Sequence, residues 1–155
     1  MGMRLLVSSM LMIFTSTLWA SGIDTCIKTV LTHPKLHRLE KEENIKSCFE
    51  INKSKMTQQT CFTNSKKVNQ FIRSTLLQTQ IKNTCFYDTQ SFKNVASCLD
   101  ATKNFTYATD HDDAVFYCYQ TFQDKLNQNG CIDVAQKMIF PLKKDYLKRH
   151  CLQNE

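Results

Sequence analysis

The chain has 155 residues with eight cysteines, three glycines, two prolines and a formal net charge of +6. That length supports a single domain with a modest core, and so few glycines and prolines exclude a turn-dense β fold. The basic residues fall in scattered pairs such as Lys66-Lys67 and Lys143-Lys144, a solvated-surface pattern that argues against nucleic acid as a partner.

The first 22 residues, MGMRLLVSSMLMIFTSTLWASG, place Arg4 ahead of an apolar run from Leu5 to Phe14 and end in small residues. This is the pattern of a secretory signal peptide. The apolar run is too short to span a bilayer, which needs about 20 residues. Cleavage before Ile23 therefore predicts a secreted, extracellular domain over 23–155 with no transmembrane anchor and, without Arg4, one positive charge fewer. All eight cysteines, Cys26, Cys48, Cys61, Cys85, Cys98, Cys118, Cys131 and Cys151, lie in this domain. An even count in an exported chain implies four disulfides, whose pairing the sequence leaves open. The short-spaced cysteine pairs of zinc sites are missing, so neither metal nor cofactor is expected.

In chain order, Pro34 separates a short helix near Cys26 from a second helix through KLHRLEKEENIKSCFE. Val68, Phe71, Ile72 and Leu76 then fall at helical spacing, as do Val115, Tyr119, Phe122 and Leu126, and Val134, Met138, Leu142 and Tyr146. Each set predicts one apolar stripe. Asn129-Gly130 reads as a helix end with Gly130 in the left-handed position, and Pro141 should kink or divide the last helical stretch.

An interval of twelve residues between cysteines occurs three times: Cys48 to Cys61, Cys85 to Cys98 and Cys118 to Cys131. Each first cysteine is followed by Phe49, Phe86 or Tyr119. The repeat suggests three related two-helix units. On one straight helix such cysteines would stand about 20 Å apart, far beyond the roughly 7 Å a disulfide allows. Either the chain turns inside the interval, as Gly130 suggests for the third, or both ends of each helix are stapled to neighbouring helices; staples between helices are the expected solution. The fold class is therefore all-α, a disulfide-stapled bundle of short-to-medium amphipathic helices.

Candidate sites are few. His33 and His37 stand at i, i+4 but flank Pro34 and lack the glutamate of a zinc-protease motif; surface histidines near a helix start are expected. The segment DHDDAVFYCY carries Asp110, His111, Asp112 and Asp113. These acids suit the start of a helix, where carboxylates meet free amides and the positive end of the dipole. A hydrolase built on His111 and its aspartates is the competing reading, although no nucleophile elbow or phosphate loop occurs and every thiol is expected to be oxidised. Asn52 and Asn104 begin N-glycosylation acceptor triplets and should face solvent. The many aromatics are expected to fill the core, with a cavity for a lipid-like ligand as the alternative.

The stretch CFYDTQSFKNVASCLD, residues 85–100, resembles the secreted cysteine-rich helical domains abundant in nematodes. That resemblance covers about a tenth of the chain and implies a helical extracellular fold with no general activity. The expected function is binding without catalysis: a stapled helical surface offered to a protein partner, or alternatively an extracellular carrier of a small hydrophobic ligand.

Overall fold

A computed structural model describes residues 22–89 and 91–153. The expected signal peptide, apart from Gly22, lies outside these described residues. Among the described residues eight α-helices run in chain order: α1 (Ile23–Thr32), α2 (Arg38–Asn52), α3 (Gln58–Phe71), α4 (Thr75–Tyr87), α5 (Val95–Thr102), α6 (Ala108–Phe122), α7 (Gln128–Gln136) and α8 (Pro141–Gln153). No strand occurs among the described residues, so the all-α, disulfide-stapled class read from the sequence holds.

Local chemistry sets the helix starts. The side chains of Thr57, Ser74, Asn94 and Asn127 each accept an N–H from the first turn of the helix that follows, which satisfies one of the donors a helix leaves unpaired. Pro34 sits in the break between α1 and α2, and Pro141 opens α8, where its missing N–H costs nothing. Gly130 departs from expectation. It occupies the first turn of α7 without a positive φ, and its N–H donates to Asn127 Oδ1 at 2.8 Å. The Asn127 cap thus starts a helix where Asn129-Gly130 reads as a stop.

The helices group into two compact units that divide after residue 90. Four disulfides staple successive helices: Cys26–Cys48 joins α1 to α2 and Cys61–Cys85 joins α3 to α4, while Cys98–Cys118 joins α5 to α6 and Cys131–Cys151 joins α7 to α8. Their Cα separations of 5.4 to 5.8 Å are ordinary for disulfides. No cysteine pairs with its partner in the twelve-residue interval; the staples run between neighbouring helices, as expected. Chain spans of 20 to 24 residues between bonded cysteines remove loop-closure entropy from the unfolded chain and stabilise each hairpin by about 3 kcal/mol.

The repeat itself is twofold, four helices per unit, rather than the three two-helix units suggested by the cysteine interval. The interval has two structural meanings. From Cys48 to Cys61 and from Cys118 to Cys131 the chain leaves a helix through a single 3-10 turn, Lys53–Lys55 or Gln123–Lys125, and enters the next helix three residues before the cysteine. From Cys85 to Cys98 it instead passes from the last helix of one unit to the first of the other. Helices α2 and α6 are both 15 residues long, and α4 and α8 both 13.

Counted from the cysteines, core positions coincide as well. Buried Ile45, Phe49, Val68 and Ile81 in the first unit match buried Val115, Tyr119, Met138 and Leu147 in the second. Two polar residues of the first unit, Asn64 and Ser65, are buried where the second places Val134 and Ala135. The Asn64 amide nitrogen donates to the Thr60 carbonyl, whereas its oxygen is buried with no partner among the described residues.

Candidate functional site

The segment Asp110–Asp113 lies in the first half of α6, and its members have separate roles. Asp110 sits in the first turn, the dipole-favoured place expected for it. Asp113 reaches Lys143 Nζ of α8 at 2.6 Å. Asp112 is 0% exposed. Its carboxylate accepts the Ile139 N–H at 2.8 Å and the Phe140 N–H at 2.9 Å, and His111 Nδ1 stands 3.2 Å from Oδ1. Burial works against the charged carboxylate, but the Ile139 and Phe140 amides, helped by His111, outweigh it and hold the acid below its ordinary range. Asp112 therefore serves the start of α8, not of its own helix. Sequence reasoning missed this because the partners lie 27 and 28 residues away.

His111 Nε2 lies 3.3 Å from Thr102 Oγ1. The row Thr102, His111, Asp112 has the order of a hydroxyl, base and acid triad. Its hydroxyl, however, donates to the Leu99 carbonyl at 2.8 Å, and Thr102 is buried. That proton is committed to backbone, and the acid is committed to two amides. The arrangement can link α5, α6 and the start of α8; its hydroxyl does not face solvent where a substrate would approach.

His33 and His37 do not share a helix face. His33 follows α1 and its Nδ1 accepts the Lys35 N–H at 3.3 Å, while His37 precedes α2 and its own N–H donates to Glu40 Oε2 at 2.8 Å. Among the described residues no group of three His, Cys, Asp or Glu side chains is placed to hold a metal ion.

Asn52 corrects the expectation that both sequons face solvent. It is 6% exposed, and its Nδ2, the atom a glycan would occupy, donates to the Cys48 carbonyl at 2.8 Å. It ends α2 at the position where α6 has buried Phe122. Asn104 is half-buried and donates to the Ala101 carbonyl.

The predicted apolar stripes hold in part. Val115, Tyr119 and Phe122 are buried along α6. The first stripe breaks at extended Ile72, which is buried with Val68, while Phe71 and Leu76 are exposed. Ser74 starts a new helix there. The third stripe breaks at Pro141. Val134 and Met138 enter the core of the second unit, but α8 buries Leu147 and Cys151 and leaves Leu142 85% and Tyr146 60% exposed. Ile139 and Phe140, just before α8, are exposed too. Four large apolar side chains thus stand at the start of one helix.

Each unit carries a cleft. One, of about 270 Å³ in the second unit, is lined mainly by polar residues including Gln123, Asp124, Asn127 and Gln128. The other, of about 470 Å³ in the first unit, lies between the first turn of α2 and the segment joining α3 to α4. No helix among the described residues is long and apolar enough to cross a membrane. No protein-family model, curated protein or solved structure matches the chain.

Proposed function

We propose that the chain is a secreted, non-enzymatic binding protein that offers the start of α8 to an extracellular protein partner. The observation that carries this reading is the exposed set Ile139, Phe140, Leu142 and Tyr146 on a backbone pinned by Asp112 and by the Asp113–Lys143 pair. Leu142 and Tyr146 lie one turn apart on the same helix face. Clustered apolar and aromatic side chains on a fixed backbone favour association, because little conformational freedom is lost on binding. The committed hydroxyl of Thr102 and the structural use of Asp112 weigh against a hydrolase at His111. Four disulfides fit an oxidising extracellular setting and agree with the signal-like first 22 residues. Export also fits the resemblance to secreted cysteine-rich helical domains.

A photo-crosslinking residue placed at Leu142 tests the proposal. In extracellular fluid of the producing organism it should give a discrete protein adduct that the same residue at exposed Gln120 of α6 does not give. The adduct should disappear in a Tyr146→Lys background. Equal labelling from both positions, or an adduct indifferent to Tyr146, refutes it.

A further inference from the structure

The cleft of the first unit is lined by Arg38, Lys41, Gln70, Phe71, Ile72 and Arg73. Three of its six lining residues are cationic and two are apolar. The Arg38 guanidinium pairs with Glu42 at 2.9 Å and also donates to the Arg73 carbonyl at 3.3 Å. Lys41 gives one of its three protons to the Leu31 carbonyl at 3.0 Å. The Arg73 guanidinium joins no ion pair among the described residues. Among the described residues Glu42 alone forms an ion pair with these three cations, no acidic residue lines the cleft, and excess positive charge stands beside the Phe71 ring, which is 69% exposed.

The second unit supplies an internal control. At the matching distances before the second cysteine of each unit, Ala108 stands for Arg38, His111 for Lys41 and Asp112 for Glu42. In that unit Asp112 ties the chain before α8 directly by its amides. In the first unit α3 runs 14 residues where α7 runs 9, and the disulfide-bonded span is 24 residues instead of 20. The added residues include Phe71 and lie at the cleft. A cationic wall, an apolar wall and a volume within the usual range of small-molecule sites have therefore been placed on one copy of a shared scaffold and not on the other.

We infer that this cleft binds a small amphiphilic anion: a phosphate, sulfate or carboxylate head against Arg73, Arg38 and Lys41, with a short apolar chain along Phe71 and Ile72. The guanidinium of Arg73 suits such a head because its donors form a planar fork that matches two oxygens at once. This site is independent of the α8 surface, and either reading can fail without the other. A carrier role, the alternative function read from the sequence, would rest on it.

The test is calorimetric titration of the oxidised, secreted chain with decyl phosphate below its micellar concentration, with decanol and inorganic phosphate as comparison probes. One saturable site per chain is expected. Decanol and inorganic phosphate should each bind at least about tenfold more weakly, and Arg73→Gln should weaken decyl phosphate by about tenfold with unchanged circular dichroism. Phe71→Ser should narrow the preference for decyl phosphate over inorganic phosphate. Added salt should weaken binding. Decanol binding as tightly as decyl phosphate, inorganic phosphate binding as tightly as decyl phosphate, or an unchanged affinity in a folded Arg73→Gln chain overturns the inference. Binding confined to vesicles of phosphatidylglycerol in phosphatidylcholine, with none of the free amphiphile, also overturns it and points to a membrane surface instead.

Discussion

Asp112 offers the sharpest check on the fold, because a nearly isosteric change isolates its hydrogen bonding. Asp112→Asn keeps the shape but leaves one oxygen for two backbone donors, and turns an amide N–H against the second. The loss is one charge-assisted hydrogen bond plus one unsatisfied buried donor, together about 2–4 kcal/mol at neutral pH. Asp112→Ala strips both bonds and should cost somewhat more, about 3–5 kcal/mol. Because the folded-state acid is held below its ordinary range, its contribution is fully present above the unfolded pKa of about 3.9 and is lost as pH falls through the lower folded value. The stability gap between native chain and Asp112→Asn should therefore narrow as the solution is acidified below about pH 4. Urea unfolding followed by circular dichroism, with disulfides intact, reads the gap. Amide exchange at Ile139 and Phe140 reads its location. A gap below about 0.5 kcal/mol at pH 7, smaller than one ordinary hydrogen bond, or a gap that does not narrow below about pH 4, refutes the tether.

Three further outcomes follow from the same structure. Peptide mapping of the unreduced protein should recover Cys26–Cys48, Cys61–Cys85, Cys98–Cys118 and Cys131–Cys151, and replacing Cys131 and Cys151 together by Ala should lower stability by about 3 kcal/mol; any pairing within a twelve-residue interval contradicts the hairpins. Gly130→Ala should stabilise by about 0.5 kcal/mol in thermal unfolding, through the lower unfolded-state entropy and better helix propensity of alanine. The new Cβ would meet only the side chains of Asn127 and Leu126, at 3.2 and 3.3 Å, and Thr60 already fills the matching position of α3 beside its own Thr57 cap; a clear destabilisation would mean that those neighbours cannot yield. In a glycosylating host, Asn52→Gln should leave the glycan mass unchanged, since Asn52 is buried, and a mass loss would show that the sequon is used despite the fold.

Much of the scaffold was legible because it depends on local rules. Helices follow from the shortage of glycine and proline, the breaks near Pro34 and Pro141 from proline's missing donor, and the preference for staples between helices from the distance that helix rise puts between cysteines on one helix. What escaped the sequence depends on distant partners. Asp112 looks like any acid near a helix start until Ile139 and Phe140 arrive from the end of another hairpin. Leu142 and Tyr146 share a period with Val134 and Met138, but Pro141 starts a separate helix that turns Leu147 and Cys151 inward instead. The three equal cysteine intervals hid a twofold repeat, since the middle one joins units while the outer two lie within them. A comparison of helix lengths around each cysteine, rather than intervals alone, carries the signal for two units.

The two units also show how a small change in one position alters what a scaffold can do. Glu42 and Asp112 occupy the same place on α2 and α6, six residues before a stapled cysteine. Asp112 has the short side chain and faces a short connection, so it reaches backbone amides and becomes buried. Glu42 is one methylene longer and faces a connection lengthened at α3. Arg38 first, and then the Ser74 hydroxyl that caps α4, engage its carboxylate and lower its pKa. The carboxylate is thus used on side chains instead of backbone, and the space beside it stays open between Arg38, Lys41 and Arg73. A closed tether supports the exposed start of α8 in one copy, and a charged cleft occupies the corresponding place in the other. Duplication of a stapled four-helix plan would permit this division, because each pair of disulfides holds its own unit while the connection before the last helix varies in length.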